Sequence, residues 1–262
     1  VFVRGYRERE REREREGDNK QHNKHTGTVL YFHGGGYAAC SVATHRHFLA
    51  NLCSKEIQVV AVSYRKPPAS KYPAAVSDAV RAYRFLLNQN GKSGLSSNRV
   101  VFGGDSAGGG LCLSAMIAIK EMGFEPLPSA CFLLSPWVDL SDYSESSWNS
   151  SVSSDFLNRE ICEVFARCYA GDHSVRASGI SPIFGDLSGL PPLLMEVGSG
   201  ECFLDQCKRF ASKARRAGVA VAFEPVDSMA HCFTLWVNFF SKSKLSFRRV
   251  CEFIDLNCPR RI

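Results

Sequence analysis

Residues 99–120 read RVVFGGDSAGGGLCLSAMIAIK, and how this stretch is read decides the fold. A β-rich run, RVVFGG, meets a helix-compatible run, GGLCLSAMIAIK, with only GDSAG (104–108) between them. GDSAG fits G-x-S-x-G in the strand-to-helix setting that this motif requires, where a tight turn exposes a serine hydroxyl above a sheet. The small flanking glycines let the backbone fold that sharply. Ser106 is therefore a candidate nucleophile. A glycine-rich turn that binds phosphate at a helix N-terminus is the competing reading, but the stretch 103–110 lacks the Lys-Ser/Thr ending of a P-loop.

On either side the same alternation repeats. Short apolar runs at 28–32 (TVLYF), 57–64, 99–104, 130–135, 192–197 and 219–226 alternate with helix-like segments near 44–56, 74–90, 107–121, 204–217 and 235–256. This pattern predicts an α/β fold with a mostly parallel sheet and helices on both faces. Strands so continuously apolar suit burial on both sides. The Ser-rich interval 141–180 breaks the rhythm and reads as an insertion over the C-terminal edge of the sheet.

Residues 1–26 stand apart. Strict Arg-Glu alternation from Arg7 to Glu16 cannot build a core and reads as a solvated helix or disordered leader. The folded α/β domain is expected to span 27–262. The chain opens without methionine, which is read here as the mark of a fragment or processed chain.

Composition narrows the function classes. At 262 residues and 45% hydrophobic content the chain can bury one large core. The longest apolar candidate, 111–119, is far short of a membrane span. A net charge of +6, scattered in pairs such as Arg215-Arg216, describes a solvated surface and gives no concentrated nucleic-acid-binding face. Eleven cysteines without a CxxC pair fit free thiols of a reducing, cytoplasmic setting better than a disulfide framework or a zinc site. No metal or cofactor is expected, and oligomeric state is left open.

Two further motifs complete a candidate site. HGGGY (33–37) directly follows TVLYF, and three successive glycines expose backbone N–H groups suited to a developing oxyanion. His33 reads as a loop-orienting residue. Of the seven histidines, His231 in EPVDSMAHCF follows the last strand and lies where it can reach Ser106, in the chain order Ser, acid, His. Two acids compete for the middle place, Glu201 and Asp205 in GSGECFLDQC (198–207).

HGGGY, GDSAGGG, SPWVDL (135–140), SGLPPLL (188–194) and MAHCF together resemble the hormone-sensitive-lipase-like esterases, relatives of arylacetamide deacetylase with the α/β-hydrolase fold. The resemblance covers roughly 28–256. It implies a serine carboxylesterase for short- to medium-chain acyl esters, with Ser106, Glu201 and His231 as the triad and the N–H groups of Gly35, Gly36 and Ala107 as the oxyanion hole. His33, Gly34 and Asp105 are implied as supporting motif residues. ECFLD stands where the family usually has D-P-L-x-D, which puts Glu201 in the acid position. Asp205 falls in the first helical turn, where an acid suits the helix dipole without any catalytic role. Cys232 replaces the family's usual glycine after the histidine, and Ala230 a frequent proline. The family generally has a longer N-terminal segment that supplies the first strands and part of a cap, so 141–180 is expected to be the remaining cap piece. Three alternatives stay open: a non-catalytic ligand-binding receptor on this fold, as in gibberellin receptors, an inactive truncated hydrolase, and an amide deacetylase. A small-molecule ester is the expected partner.

Overall fold

A computed structural model describes residues 2–5, 27–88, 95–123, 126–150 and 155–258. Seven strands form one sheet in the order β1-β3-β2-β4-β5-β6-β7. Strands β2 (Thr28–Phe32), β3 (Gln58–Ser63), β4 (Val100–Asp105), β5 (Ala130–Leu134), β6 (Leu193–Glu196) and β7 (Val221–Phe223) run parallel, and β1 (Phe2–Gly5) pairs antiparallel with β3 at one edge. Four residues of the leader thus lie against the sheet, whereas the Arg-Glu tract lies outside the described residues.

Alternation of side chains along the strands builds two cores. Leu30 and Phe32 of β2, Val100 and Phe102 of β4, and Cys131 and Leu133 of β5 face one core; Val29, Tyr31, Val101, Ala130, Phe132 and Leu134 face the other. The first core takes α2 (Ala74–Leu87), α3 (Ala107–Glu121) and α6 (Leu204–Arg216); the second takes α1 (Arg46–Cys53) and α7 (Ser241–Asn257). This two-sided burial explains the continuous apolar runs in the sequence. Helix α3, which follows Ser106, is buried nearly all round and so has no polar stripe of its own.

The last elements are shorter than their sequence patterns. β7 covers three residues of 219–226, because Val219 N–H bonds to Ala214 O at the end of α6, and Pro225 has no N–H to donate. The final helix starts at Ser241, after a 3₁₀ turn at Phe233–Trp236.

The segment 141–180 contains α4 (Ser146–Ser150) and α5 (Arg159–Ala170). Asn158 caps α5 by accepting the Ile161 N–H at 2.9 Å. Helix α5 returns to the glycine loop: Tyr169 stacks on Tyr37 with ring centroids 3.8 Å apart, and Tyr169 O accepts the Tyr72 N–H.

Candidate active site

Register places the site. Phe32 pairs with Gly104, Asp105 with Leu134, and Leu134 with Glu196, so the loops carrying HGGGY, Ser106, SPW and GSGE leave the sheet side by side at its C-terminal end. In open α/β sheets this end is where ligands bind.

Ser106 sits at the turn from β4 into α3 with φ 51° and ψ −122°, a backbone conformation that costs a non-glycine residue about 1–3 kcal/mol. The core fixes it there. Its N–H bonds to Leu134 O at 2.8 Å, and its carbonyl accepts from Gly110 and Trp137. A Cβ on Gly108 would lie 2.0 Å from Phe32 O, which is why the motif has a glycine at that position. Ala107 is the first residue of α3, so its N–H is among those a helix leaves without an internal partner.

The glycine loop is tied to the nucleophile strand by Asp105. This buried carboxylate accepts from Tyr31 Oη (2.6 Å), Gly34 N–H (3.0 Å) and His45 Nε2 (3.1 Å). Burial raises its pKa, but the charge and hydrogen bond of His45 and the bond from Tyr31 outweigh that and leave it below the usual carboxylate value. The same pairing lifts His45 above the ordinary histidine value despite its burial. Gly34 N–H is consumed here, while Gly35 and Gly36 follow with φ of 111° and 58°. His33 stacks on Tyr64 at 4.5 Å, and its Nδ1 lies 2.7 Å from Gly34 O. Its pKa falls to about 4, chiefly through burial, so it stays neutral and orients the loop.

On the other side His231 and Glu201 meet. His231 Nδ1 lies 2.8 Å from Glu201 Oε2, with both side chains almost fully buried. A carboxylate can only accept, so Nδ1 carries the proton and Nε2 keeps its lone pair. Glu201 Oε1 accepts from Ser135 Oγ (2.8 Å) and the Gly198 N–H (2.5 Å). Burial lowers the His231 pKa, but the hydrogen bond and charge of Glu201, followed by Asp155 and Asp105, outweigh it and hold the pKa above 6.5. Asp205 points elsewhere, to Ser146 Oγ (2.7 Å), Ser147 N–H (2.9 Å) and Lys208 Nζ (3.1 Å).

The two sides converge. Leu134 O accepts the Ser106 N–H and lies 3.9 Å from Cys232 Sγ, which is also 3.9 Å from Asp105 Oδ2. Cys232 has φ 55°, the left-handed region that favours glycine, so the loop keeps the glycine-type turn with a cysteine in it. Its N–H bonds to Ser135 Oγ at 2.9 Å. Ser135, His45, Tyr31 and Asp155 escaped the sequence reading. Ser135 opens SPWVDL, a motif quoted without a role for its serine, and the other three carried no local signal.

A family model described as alpha/beta hydrolase fold matches residues 29–235. The chain belongs to this family. An acetyl-hydrolase of Streptomyces hygroscopicus is 41% identical over 205 residues, covering 78% of this chain and 67% of the relative. An esterase of Acinetobacter venetianus is 33% identical over 230 residues, covering 87% and 74%. Among solved structures, a hormone-sensitive lipase from a metagenome library has a TM-score of 0.83 at 36% identity, over 89% of this chain and 77% of that one. The hormone-sensitive-lipase homologue EstE7, also from a metagenome library, gives 0.84 at 35% identity, over 90% and 80%. These likenesses place this hydrolase in the hormone-sensitive-lipase branch. All eleven cysteines are free thiols, and among the described residues no helix is long and apolar enough to cross a membrane.

Proposed function

We propose that this chain is a serine carboxylesterase that hydrolyses short- to medium-chain acyl esters through an acyl-enzyme on Ser106. The observation that carries the reading is the buried 2.8 Å His231–Glu201 pair at the same sheet end as the strained Ser106 turn. His231 Nε2 takes the hydroxyl proton as Ser106 Oγ attacks the ester carbonyl. Glu201 holds the tautomer and stabilises the imidazolium. The N–H groups of Gly35, Gly36 and Ala107 receive the oxyanion, since Gly34 N–H is already given to Asp105. The imidazolium then protonates the leaving alcohol, and water, activated by the same histidine, releases the acid. The insertion at 141–180 serves as a cap piece over this site.

The names of the relatives support an ester substrate, and the lone-pair position on Nε2 supports base catalysis. The test is hydrolysis of p-nitrophenyl butyrate by the 262-residue chain with Ser106→Ala as the blank. Turnover that disappears in the variant is expected; equal turnover in both would overturn the proposal.

A further inference from the structure

Residues between β5 and β6 reach further into the site than a cover needs to. Asp155, ahead of α5, bonds to both loops that carry the acid–base pair. Its Oδ1 accepts the His231 backbone N–H at 3.3 Å, and its Oδ2 accepts the Cys202 backbone N–H at 3.1 Å. Cys202 directly follows Glu201. One carboxylate therefore spans the β6–α6 loop and the β7–α7 loop at the positions where they present acid and base. Its Oδ1 also accepts the neighbouring Phe156 N–H at 2.9 Å, and this bond fixes the carboxylate's own orientation.

The neighbouring rings complete the arrangement. Phe156 stands edge-on to the imidazole with centroids 5.7 Å apart, and Phe203, two residues after Glu201, stands at 5.0 Å and 85°. The imidazole thus meets one ring from the insertion and one from the acid loop. Both loops also touch through the bonds from Gly200 N–H to Met229 O (3.0 Å) and Ser199 N–H to Val226 O (2.9 Å). Those bonds lie further from the imidazole, whereas Asp155 binds His231 itself.

We propose that Asp155 is a positioning residue for the acid–base pair: bound to the backbones of His231 and Cys202, it fixes the loop separation at which Nδ1 meets Glu201, and its charge favours the imidazolium formed when Ser106 loses its proton. The idea rests on the esterase reading for its role in turnover. The ionisable groups around His231 are Glu201 from the β6–α6 loop, Asp155 from the insertion, Asp105 from β4, and the thiols of Cys202 and Cys232. Glu201 binds the ring directly. Asp155 binds His231 only through its backbone N–H, so its effect on the ring comes through geometry and field.

The experiment titrates the His231 imidazole by NMR in ¹⁵N-histidine-labelled chain, and measures kcat and KM for p-nitrophenyl butyrate against pH, in the native chain, Asp155→Asn and Asp155→Glu. Asparagine can accept one of the two N–H groups and carries no charge. The expected result for Asp155→Asn is a lower His231 pKa, an acidic limb of kcat/KM moved to lower pH, and kcat down about tenfold with KM little changed, a fraction of the roughly 10²–10⁴ that general acid–base catalysis supplies. Asp155→Glu should keep the pKa raised and recover part of kcat. An unshifted His231 titration in Asp155→Asn, or a uniform loss of folded protein with kcat per folded molecule unchanged, overturns the proposal. If Asp155→Asn does not fold, Asp155→Glu decides: native kcat sinks the positioning role, and reduced kcat with the pKa held up supports it. A native chain that hydrolyses no ester, while Asp155→Asn still lowers the His231 pKa, sinks the esterase reading and leaves the positioning of the imidazole standing.

Discussion

The two halves of the site are built differently. On the nucleophile side one buried carboxylate, Asp105, gathers Tyr31, Gly34 and His45, residues close together in the chain and next to the motifs they support. On the acid–base side the contacts that hold Glu201 and His231 come from Ser135, Asp155 and Gly198, spread from residue 135 to residue 198 in three separate segments of the chain. The first half is a single hub within strands and tight loops. The second is an assembly of loops, whose geometry depends on how separate elements pack. A change at the first hub should therefore act on folding and activity together, and a change in the second on activity first.

The largest effect is expected at the pair itself. Glu201→Gln leaves the shape but removes the acceptor that sets the tautomer, and kcat should drop by roughly 10³–10⁴, as in other triads that lose this carboxylate's charge. Unfolding temperature should change far less than kcat. A loss of stability on the scale of the loss of activity would erase the distinction between the halves.

Asp105→Asn tests the hub. Breaking a buried ion pair by removing one charge costs about 3–5 kcal/mol, and His45 would be left beside a neutral amide, with Gly34 N–H competing for one oxygen. Unfolding in urea should show that loss, and kcat should fall with it because the glycine loop is no longer pinned. Full stability with reduced kcat would mean that Asp105 serves the chemistry alone.

Gly36→Ala probes the contact between the hub's loop and the insertion. An alanine there has φ 58°, which costs about 1–2 kcal/mol, and its Cβ would fall 2.3 Å from the Phe165 ring of α5. Either the ring or the N–H of residue 36 must move, so kcat for p-nitrophenyl butyrate should fall by about 10²-fold, the typical cost of one lost oxyanion donor. A native kcat would show that the Phe165 ring gives way and leaves the N–H of residue 36 in place.

How much of this was readable in advance follows the same division. GDSAG and HGGGY are short motifs whose chemistry and backbone demands coincide, so the elbow, the loop and the alternation of strands and helices around them could be read from local pattern. His231 was proposed from its place after the last strand, and Glu201 from its loop position and family register, and the structure brings the two within hydrogen-bond distance. Ser135 and Asp155 could not be found this way. Each acts through a bond to a residue about fifty to a hundred positions distant; Asp155 sits in a Ser-rich segment and looks like surface, and Ser135 is a single serine after an apolar run. β7 and the start of α7 also ran short of their patterns, because a helix end, a proline and the extended backbone of Phe240 set those boundaries where apolar periodicity gave no sign.

The pH dependence separates the halves again. His231 must be neutral to accept the serine proton, and its raised pKa puts the acidic limb of kcat/KM above pH 6.5. Stability moves the other way. A histidine whose pKa is raised on folding contributes stability that is fully present below its unfolded value near 6.5 and is lost as pH rises through the folded value; this holds for His231 and for His45. Asp105, lowered on folding, contributes stability that is present above about 3.8 and is lost as pH falls through its folded value. Thermal stability should therefore be greatest between these limits and decline over the interval in which kcat/KM climbs. An acidic limb below pH 6.5 would contradict the direction assigned to His231.

The smallest effect is expected at Asp205, four residues from Glu201 and equally acidic. Its Oδ2 accepts the Ser146 hydroxyl and the Ser147 N–H at the start of α4, while Oδ1 takes the Lys208 ammonium one turn along α6. Burial raises its pKa, but the bonds from Ser146 and Lys208 outweigh that and leave it below the ordinary carboxylate value, so it is charged at neutral pH and caps a helix start. Asp205→Asn keeps one acceptor for the cap and loses the lysine pair, whose ammonium is half exposed and worth little. The expected cost stays below about 2 kcal/mol, the upper end for a lost helix cap, measured by urea unfolding, with kcat within a few-fold of the native chain. If Asp205→Asn lowered kcat as far as Glu201→Gln does, the assignment of the acid would fail, since among the described residues Asp205 has no hydrogen bond to His231.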